Sequence, residues 1–342
     1  MGIFDTILGR TFCKYIQGKG NLRAYILRRL LLTIPTVFFV TLIVFLLIRS
    51  IPGSIVDIMV NEQESTGISV TKLDKQAIEH SLGLDAPIYT QYGRWIADIV
   101  VHGSLGTSLW DSIPVTEEIG ARWPVTFELG ILALIVTQII ALPIGIYSAL
   151  RQNTWGDYLA RTFAIFCIAV PSFWLATLVI VFPALWWHYS PPILLIPFNK
   201  DPIGNLKMFI IPAIILGMSG AGGNMRITRT MMLEVLRQDY IRTAWAKGLS
   251  ERIVVMRHAL KNALIPVVTL IGYQLPVIVG GAVIIEDIFG LPGLGRLLTQ
   301  ATESRDYPIV SAVVLITSIV IVFINLFVDL SYGYLDPRVH YE

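Results

Sequence analysis

Long stretches without a single charged side chain constrain the fold of this chain more than any other feature. Each is about 18 residues or longer, enough for a helix to cross roughly 30 Å of hydrocarbon. Hydrophobic residues make up 54% of the chain and charged residues only 15%, whereas soluble domains are about a quarter charged. We therefore predict an all-α, polytopic membrane protein with six transmembrane helices. The uncharged blocks lie between Arg29 and Arg49, Glu128 and Arg151, Arg161 and Lys200, Lys207 and Arg226, Lys261 and Glu286, and Asp306 and Asp329.

The distribution of Lys and Arg predicts how the spans are oriented. If the N-terminus lies inside the cell, most of the 26 Lys and Arg residues fall in the inner segments and most acidic residues fall outside. We therefore expect a multi-pass protein of the cell membrane (inner or plasma membrane) with both termini in the cytoplasm. The net charge of +2 gives no reason to expect a nucleic-acid partner. Cys13 and Cys167 are expected to stay apart, so we expect no disulfide.

Spans and loops divide the chain into four parts. Residues 1–26 form a cytoplasmic segment, either an interfacial helix or a loosely ordered tail, and residues 27–50 form the first span. Residues 51–122 form an extracytoplasmic loop with a helix at Asp74–Leu82, folded as a small cap over the outer mouth. Residues 123–342 form a five-span core, with spans at about 125–150, 158–187, 208–231, 263–286 and 308–332.

A basic segment between the third and fourth of these core spans carries the pattern of two short helices. Gly248 stands where a helix ends in a left-handed residue, and Ser250 stands where the next helix would be capped. The two helices would form a compact knob on the cytoplasmic side. We expect Lys247, Arg252 and Arg257 to ring it, and Ala244, Ala246 and Leu249 to give it a small apolar surface.

This segment resembles the cytoplasmic coupling loop of ATP-binding-cassette (ABC) importer permeases, which we place at residues 232–262. Arg242-Thr243-Ala244 stands at the Glu-Ala-Ala of the consensus, Gly248 at its Gly, His258 at its Ile and Leu260 at its Leu. The acid and the Pro of the consensus are replaced by Arg242 and Lys261, which is typical of the oligopeptide and dipeptide importers. Other motifs of that branch follow in order, including Arg49-Ser50-Ile51-Pro52-Gly53, Gly103-Ser104-Leu105-Gly106-Thr107-Ser108, Phe289-Gly290-Leu291-Pro292-Gly293-Leu294-Gly295-Arg296 and Arg305-Asp306-Tyr307-Pro308.

The resemblance implies a type I ABC importer permease fold and a mechanical role. The chain would form half of a translocation pathway for peptides, pair with a second homologous permease, and receive motion from two cytoplasmic ATPases that bind ATP-Mg. An external substrate-binding protein would sit over the 51–122 loop and the 288–306 turn. The chain itself would carry no cofactor and catalyse nothing. The coupling residues implied are Arg242, Thr243, Ala244, Lys247, Gly248, Leu249, Ser250, Arg252, His258 and Leu260.

Two acids and a glycine cluster are further candidates. Glu286 and Asp287, at the outer end of a span, could meet the amino group of a peptide or gate the outer mouth; equally, they could mark the membrane boundary or pair with Arg296.

The glycines of the 208–231 span predict close helix packing in preference to a flat pathway wall. Asp329 is expected to cap or pair. No His or Cys stands at metal-ligand spacing, and no phosphate-loop motif of the Walker type occurs.

Two alternatives to this reading stay open. A secondary transporter or channel would work without an ATPase, although such proteins usually carry several ionisable residues inside their spans. Within the importer class, relatives of this branch carry nickel complexes or oligosaccharides as well as peptides.

Overall fold

The protein, described here as a computed structural model over residues 22–50, 80, 85–188 and 194–335, is built from helices. Within those residues the β-structure amounts to an isolated bridge between Thr107 and Pro114. The helices are α1 (Leu22–Arg49), α2 (Ile88–His102), α3 (Val115–Leu150), α4 (Trp155–Ala169), α5 (Ser172–Trp187), α6 (Pro202–Leu236), α7 (Asp239–Ala246), α8 (Glu251–Ile253), a π-helical segment (Val254–Ala259), α9 (Leu260–Phe289), α10 (Leu294–Glu303) and α11 (Tyr307–Leu335).

Helices α1, α3, α6, α9 and α11 each contain a stretch long and apolar enough to cross a membrane, and α4 with α5 supplies a sixth as a bent pair. The six predicted spans are therefore present, with one difference. The span predicted at 158–187 bends by 91° between Ala169 and Ser172. Pro171 explains the break, because it disfavours the helical conformation at the preceding residue, and Val170 is extended (φ −85°, ψ 119°).

The ends of the predicted segments are only partly within the described residues. Helix α1 begins at Leu22, five residues before the predicted start of the first span. The cytoplasmic segment up to residue 21 lies outside the described part. So does the helix predicted at Asp74–Leu82, apart from His80, which is helical.

The core of the bundle lies where α3, α6 and α9 meet. Leu129, Phe209 and Ile285 are fully buried there, one from each helix. Glycines on α6 allow the close approach that small residues give to membrane helices: a Cβ on Gly217 would lie 2.6 Å from the carbonyl oxygen of Ala133. This confirms the packing role predicted for that glycine.

An ion pair fixes which ends of the bundle lie on the same side. A guanidinium nitrogen of Arg29, near the start of α1, lies 2.8 Å from a carboxylate oxygen of Asp329, near the end of α11. The prediction that Asp329 pairs is confirmed. The first and last described helices therefore begin and end on one side of the bundle, which agrees with termini on the same side of the membrane.

The opposite end of the bundle is covered by a polar clamp. Asp306, buried at the start of α11, accepts hydrogen bonds from the Ser108 hydroxyl at 2.6 Å and from the Leu109 backbone N–H at 3.2 Å. The indole N–H of Trp110 donates to the Ser304 carbonyl at 3.0 Å. These bonds tie the 104–114 hairpin to the turn between α10 and α11.

Helix α2 lies against the first span through aromatic side chains. The hydroxyl groups of Tyr92 and Thr41 are 2.8 Å apart, and the Phe45 ring packs against both Tyr92 and Trp95. Residues 88–102 of the 51–122 segment are therefore folded against α1.

Candidate functional site

The segment predicted to be the coupling loop, residues 232–262, contains a short helix whose inward face is apolar. Helix α7 follows α6 after two residues, and its Ile241 is completely buried while Ala244 is nearly so. Both pack with Met232 of α6 and Ala149 of α3. The knob is therefore attached to the ends of two core helices and does not hang free.

Gly248 makes the turn between the two arms of the knob. Its φ is +75°, and its N–H donates to the Trp245 carbonyl at 2.9 Å. A side chain would strain this left-handed conformation by about 1 kcal/mol. The left-handed turn predicted from the sequence is therefore confirmed. Open space surrounds the position where a Cβ would stand, so the constraint comes from the backbone.

The second arm begins after Ser250, as predicted, with Ile253 and Val254 donating to the Ser250 carbonyl. The Ser250 hydroxyl makes no capping hydrogen bond. The arm then runs through the π-helical segment into α9 without interruption, ending at Phe289. The knob and this span are thus one continuous helical element, which the sequence did not indicate.

The outward face of the knob is basic and apolar together. The cations Arg242, Lys247 and Arg252 are exposed, and Trp245 and Met256 are 45% and 57% exposed. Six of the ten predicted residues are thus exposed to solvent, since Thr243, Gly248 and Ser250 are exposed as well.

The apolar part of that face differs from the prediction. Ala244, expected on the surface, is buried, because α7 turns it toward α6, so that prediction is wrong. Leu249 is half-buried, as are His258 and Leu260. Ala246 is exposed, as predicted. The large exposed apolar groups are Trp245, Ile253 and Met256, which spacing alone could not select because contacts with neighbouring helices decide which face is buried.

A bidentate ion pair beneath the knob was missed from the sequence. Arg229 of α6 donates from Nε and Nη2 to the two carboxylate oxygens of Asp157, each at 2.9 Å. Asp157 is fully buried and also accepts from the Ser148 hydroxyl and the Asn153 N–H. The available signal was local: Thr154, three residues before Asp157, is a helix N-cap.

The two acids at the C-terminal end of α9, which was predicted to be its outer end, lie in different surroundings. Glu286 is fully buried, and its Oε2 accepts from the backbone N–H groups of Gly295 at 2.7 Å and Arg296 at 3.3 Å. An acid is favourable at this place because the start of α10 carries a partial positive charge. Asp287 is exposed. The Arg296 guanidinium donates to the Gly290 carbonyl at 2.6 Å.

The described residues show no group of three His, Cys, Asp or Glu side chains that could hold a metal ion. Residues 290–293 form a tight turn between α9 and α10, with the Leu291 N–H donating to the Glu286 carbonyl at 2.8 Å. What the geometry offers is a rigid knob, a buried brace under it and a clamped outer surface. These features suit binding and transmission of motion.

Sequence comparison places these features in a family. Residues 141–341 match the family described as the binding-protein-dependent transport system inner membrane component. Residues 22–130 match the N-terminal domain described for the membrane components of such systems.

Relatives of known name cover nearly the whole chain. The dipeptide transport system permease protein DppB of Alkalihalophilus pseudofirmus is 41% identical, over 93% of this chain and 99% of that protein. DppB of Escherichia coli strain K12 is 38% identical with the same coverage. Among solved structures, a chain of the MetNI methionine ABC transporter covers 64% of this chain and 96% of its own length, with a TM-score of 0.50 and 17% identity. At that identity the likeness supports the fold alone.

Proposed function

The chain belongs to the family of binding-protein-dependent transport system inner membrane components and is a permease subunit of an ABC importer; on that premise we propose that it forms half of a pathway for dipeptides or oligopeptides. In this proposal the inner membrane holds the subunit with both termini in the cytoplasm. The chain hydrolyses nothing, and ATP-Mg binds to partner subunits.

The shape and attachment of the coupling loop carry the proposal. Its buried face, with Ile241 and Val254, is held by α3 and α6, while Trp245 and Met256 are exposed among cations. Exposed aromatic and Met side chains surrounded by charge are typical of protein interfaces. Because the second arm continues into α9, a force on the knob acts directly on a membrane span.

The proposed partners are ones that fit this arrangement. Systems of this family work with an ATPase and a substrate-binding protein. We propose that two ATPases serve the importer and that the one under this chain presents an apolar groove with an acidic rim, which complements Arg242, Lys247 and Arg252. A second homologous permease completes the pathway. The binding protein docks over the 51–122 loop and the 288–306 turn, which the Asp306 clamp joins.

The proposed substrate class rests on the named relatives, both of which are dipeptide permeases. Nickel complexes and oligosaccharides are the alternative cargoes within the importer class. A secondary transporter is the alternative outside it. The alternatives differ in whether uptake requires ATP and in which solutes compete with the labelled substrate for uptake.

Affinity purification of the tagged chain from its host in mild detergent tests the assembly. We expect two ATPase subunits and a second permease to come with it, and the complex in liposomes to take up labelled dipeptides only with ATP and the binding protein. A chain that purifies alone and supports uptake without ATP would establish the secondary transporter instead. Uptake of nickel complexes or oligosaccharides in place of peptides would correct the cargo alone.

A matched pair of glycine variants tests the coupling loop. Gly248→Val strains the left-handed turn, whereas Gly248→Asn adds a side chain at the same place but tolerates that conformation. We expect Gly248→Val to abolish substrate-stimulated ATP hydrolysis while the chain still inserts, and Gly248→Asn to retain most of it. Normal stimulation in the Gly248→Val complex would contradict a coupling role for this turn.

A further inference from the structure

The helix that leaves the knob widens before it enters the membrane. Over Val254–Ala259 the backbone is π-helical, and the N–H of Leu260 donates to the carbonyl of Val255, five residues back. An α-helix makes this bond to the residue four back. Single wide turns of this kind occur frequently at functional sites.

The side-chain pattern depends on this wide turn. Val254 and Ala259 are both completely buried although they are five residues apart. In a regular α-helix, residues five apart point about 140° away from each other. The π turn brings both onto the face that packs with Ile241 and Met232. Converting it to an α turn would rotate the knob relative to α9, since the two buried residues would no longer share a face.

A second weak point follows within the same stretch of backbone. Pro266 has no N–H, so the Asn262 carbonyl lacks the donor that an α-helix would supply four residues later. The π segment and Pro266 thus interrupt the regular ladder at both ends of residues 254–266. This stretch connects the knob to the span above it.

One side chain of α7 reaches across to this stretch. The Asn262 side-chain amide donates to the Tyr240 hydroxyl at 2.8 Å, and that hydroxyl donates to the His258 carbonyl at 3.5 Å. Tyr240 therefore connects the first arm of the knob to two residues of the second arm, one in the π-helical segment and one between that segment and Pro266. Both hydrogen bonds are exposed, so a modest force can break and reform them.

We propose that residues 254–266 form the joint at which the coupling loop changes its angle relative to α9, and that Tyr240 is the positioning residue that holds this joint in the conformation of the structure. The inference rests on the proposed function, because it assumes an ATPase that moves the knob. Beyond that function, the inference specifies where the helical element formed by the second arm and α9 bends. It also specifies which hydrogen bonds set the bend angle.

The test uses the complete importer in liposomes, with three variants. Tyr240→Phe removes the hydroxyl and keeps the ring, and Asn262→Leu removes the donor at similar volume. Tyr158→Phe is the control, since Tyr158 is an exposed tyrosine of α4 whose hydroxyl makes no hydrogen bond within the described residues. For each we measure co-purification of the ATPases, ATP hydrolysis without binding protein, and labelled dipeptide taken up per ATP hydrolysed.

We expect Tyr240→Phe and Asn262→Leu to retain the ATPases, to raise hydrolysis without binding protein severalfold, and to lower dipeptide taken up per ATP. The double variant should match Tyr240→Phe, because loss of the hydroxyl already removes the hydrogen bond that Asn262→Leu removes. If the amount of dipeptide taken up per ATP hydrolysed were unchanged, the proposed joint would be contradicted. Loss of the ATPases in Tyr240→Phe would contradict it too, since Tyr240 would then be a contact residue. Failure of the unaltered chain to bind ATPases would refute the proposed function itself.

Discussion

The guanidinium of Arg229 and the carboxylate of Asp157 form two parallel hydrogen bonds of 2.9 Å, at the place where α3, α4 and α6 meet beneath the coupling loop. Their residues are 72 positions apart in the chain. The bidentate geometry fixes orientation as well as distance. It holds α6, from which the knob extends, against the start of α4.

Removing one partner of this pair should destabilise the protein strongly. Arg229→Met leaves the fully buried Asp157 carboxylate without its cation, at a cost of about 3–5 kcal/mol. We expect a clearly lower thermal unfolding temperature, measured by tryptophan fluorescence in detergent. Arg226→Met, one turn earlier on α6 and exposed, is the control. Equal unfolding temperatures for the two variants would show that the pair does not brace the bundle.

Glu286 should matter for stability at the outer end of α9. Glu286→Ala leaves the buried N–H groups at the start of α10 without their acceptor, which costs about 1–3 kcal/mol. Asp287→Ala, at the exposed neighbour, should change stability by less than about 0.5 kcal/mol. Thermal unfolding of both variants measures the difference. The rate of uptake by the Asp287→Asn variant then tests the prediction that Asp287 lines the pathway. An unchanged rate would favour the alternative that Asp287 only marks the membrane boundary.

Close packing of α6 on α4 predicts opposite results at adjacent glycines. A Cβ on Gly222 would meet the Ala164 carbonyl oxygen at 2.4 Å, whereas a Cβ on Gly223 would meet nothing within 4 Å. Gly222→Ala should therefore cost about 1–3 kcal/mol through overpacking. Gly223→Ala should be neutral or slightly stabilising because Ala favours the helix. The thermal unfolding temperatures of the two variants are compared directly. Similar unfolding temperatures would contradict the close approach of α6 to α4.

Features set by local chemistry could be predicted from the sequence. The spans follow from charge-free length, and the left-handed turn follows from Gly248 between two helical patterns. The bend at Val170 had a signal in Pro171, but the continuous apolar run around it concealed the break. Each of these depends on residues near one another in the chain.

Features set by distant contacts could not be predicted. Which face of α7 is buried depends on Met232 and Ala149, which lie on other helices. The Asp157–Arg229 pair joins residues whose spacing carries no periodic signal. The π turn places Val254 and Ala259 on one buried face. That face exists only when the knob packs against α3 and α6.

The outer clamp predicts a local opening when its acid is removed. Asp306→Ala eliminates the acceptor for the Ser108 hydroxyl and the Leu109 N–H, so the 104–114 hairpin should detach from the α10–α11 turn. We expect faster proteolysis of the hairpin and weaker stimulation of ATP hydrolysis by the binding protein. Asp111→Ala, an exposed acid of the same hairpin, is the control. If the hairpin of Asp306→Ala were cleaved as slowly as that of the unaltered protein, its apolar contacts alone would be holding it.

Trp245 should be an energetic anchor of the proposed ATPase interface. It is a half-exposed aromatic side chain at the centre of the basic rim of the knob, and such side chains commonly cost 2 kcal/mol or more when truncated at interfaces. Trp245→Ala should therefore weaken ATPase binding roughly 30-fold or more, while the unfolding temperature of the isolated chain changes little. Trp155→Ala, at a tryptophan 85% exposed on α4, should leave binding unchanged. Affinity is measured by titrating purified ATPase onto the chain in nanodiscs. Equal affinities for the two variants would move the contact away from Trp245, to Ile253 and Met256 on the second arm.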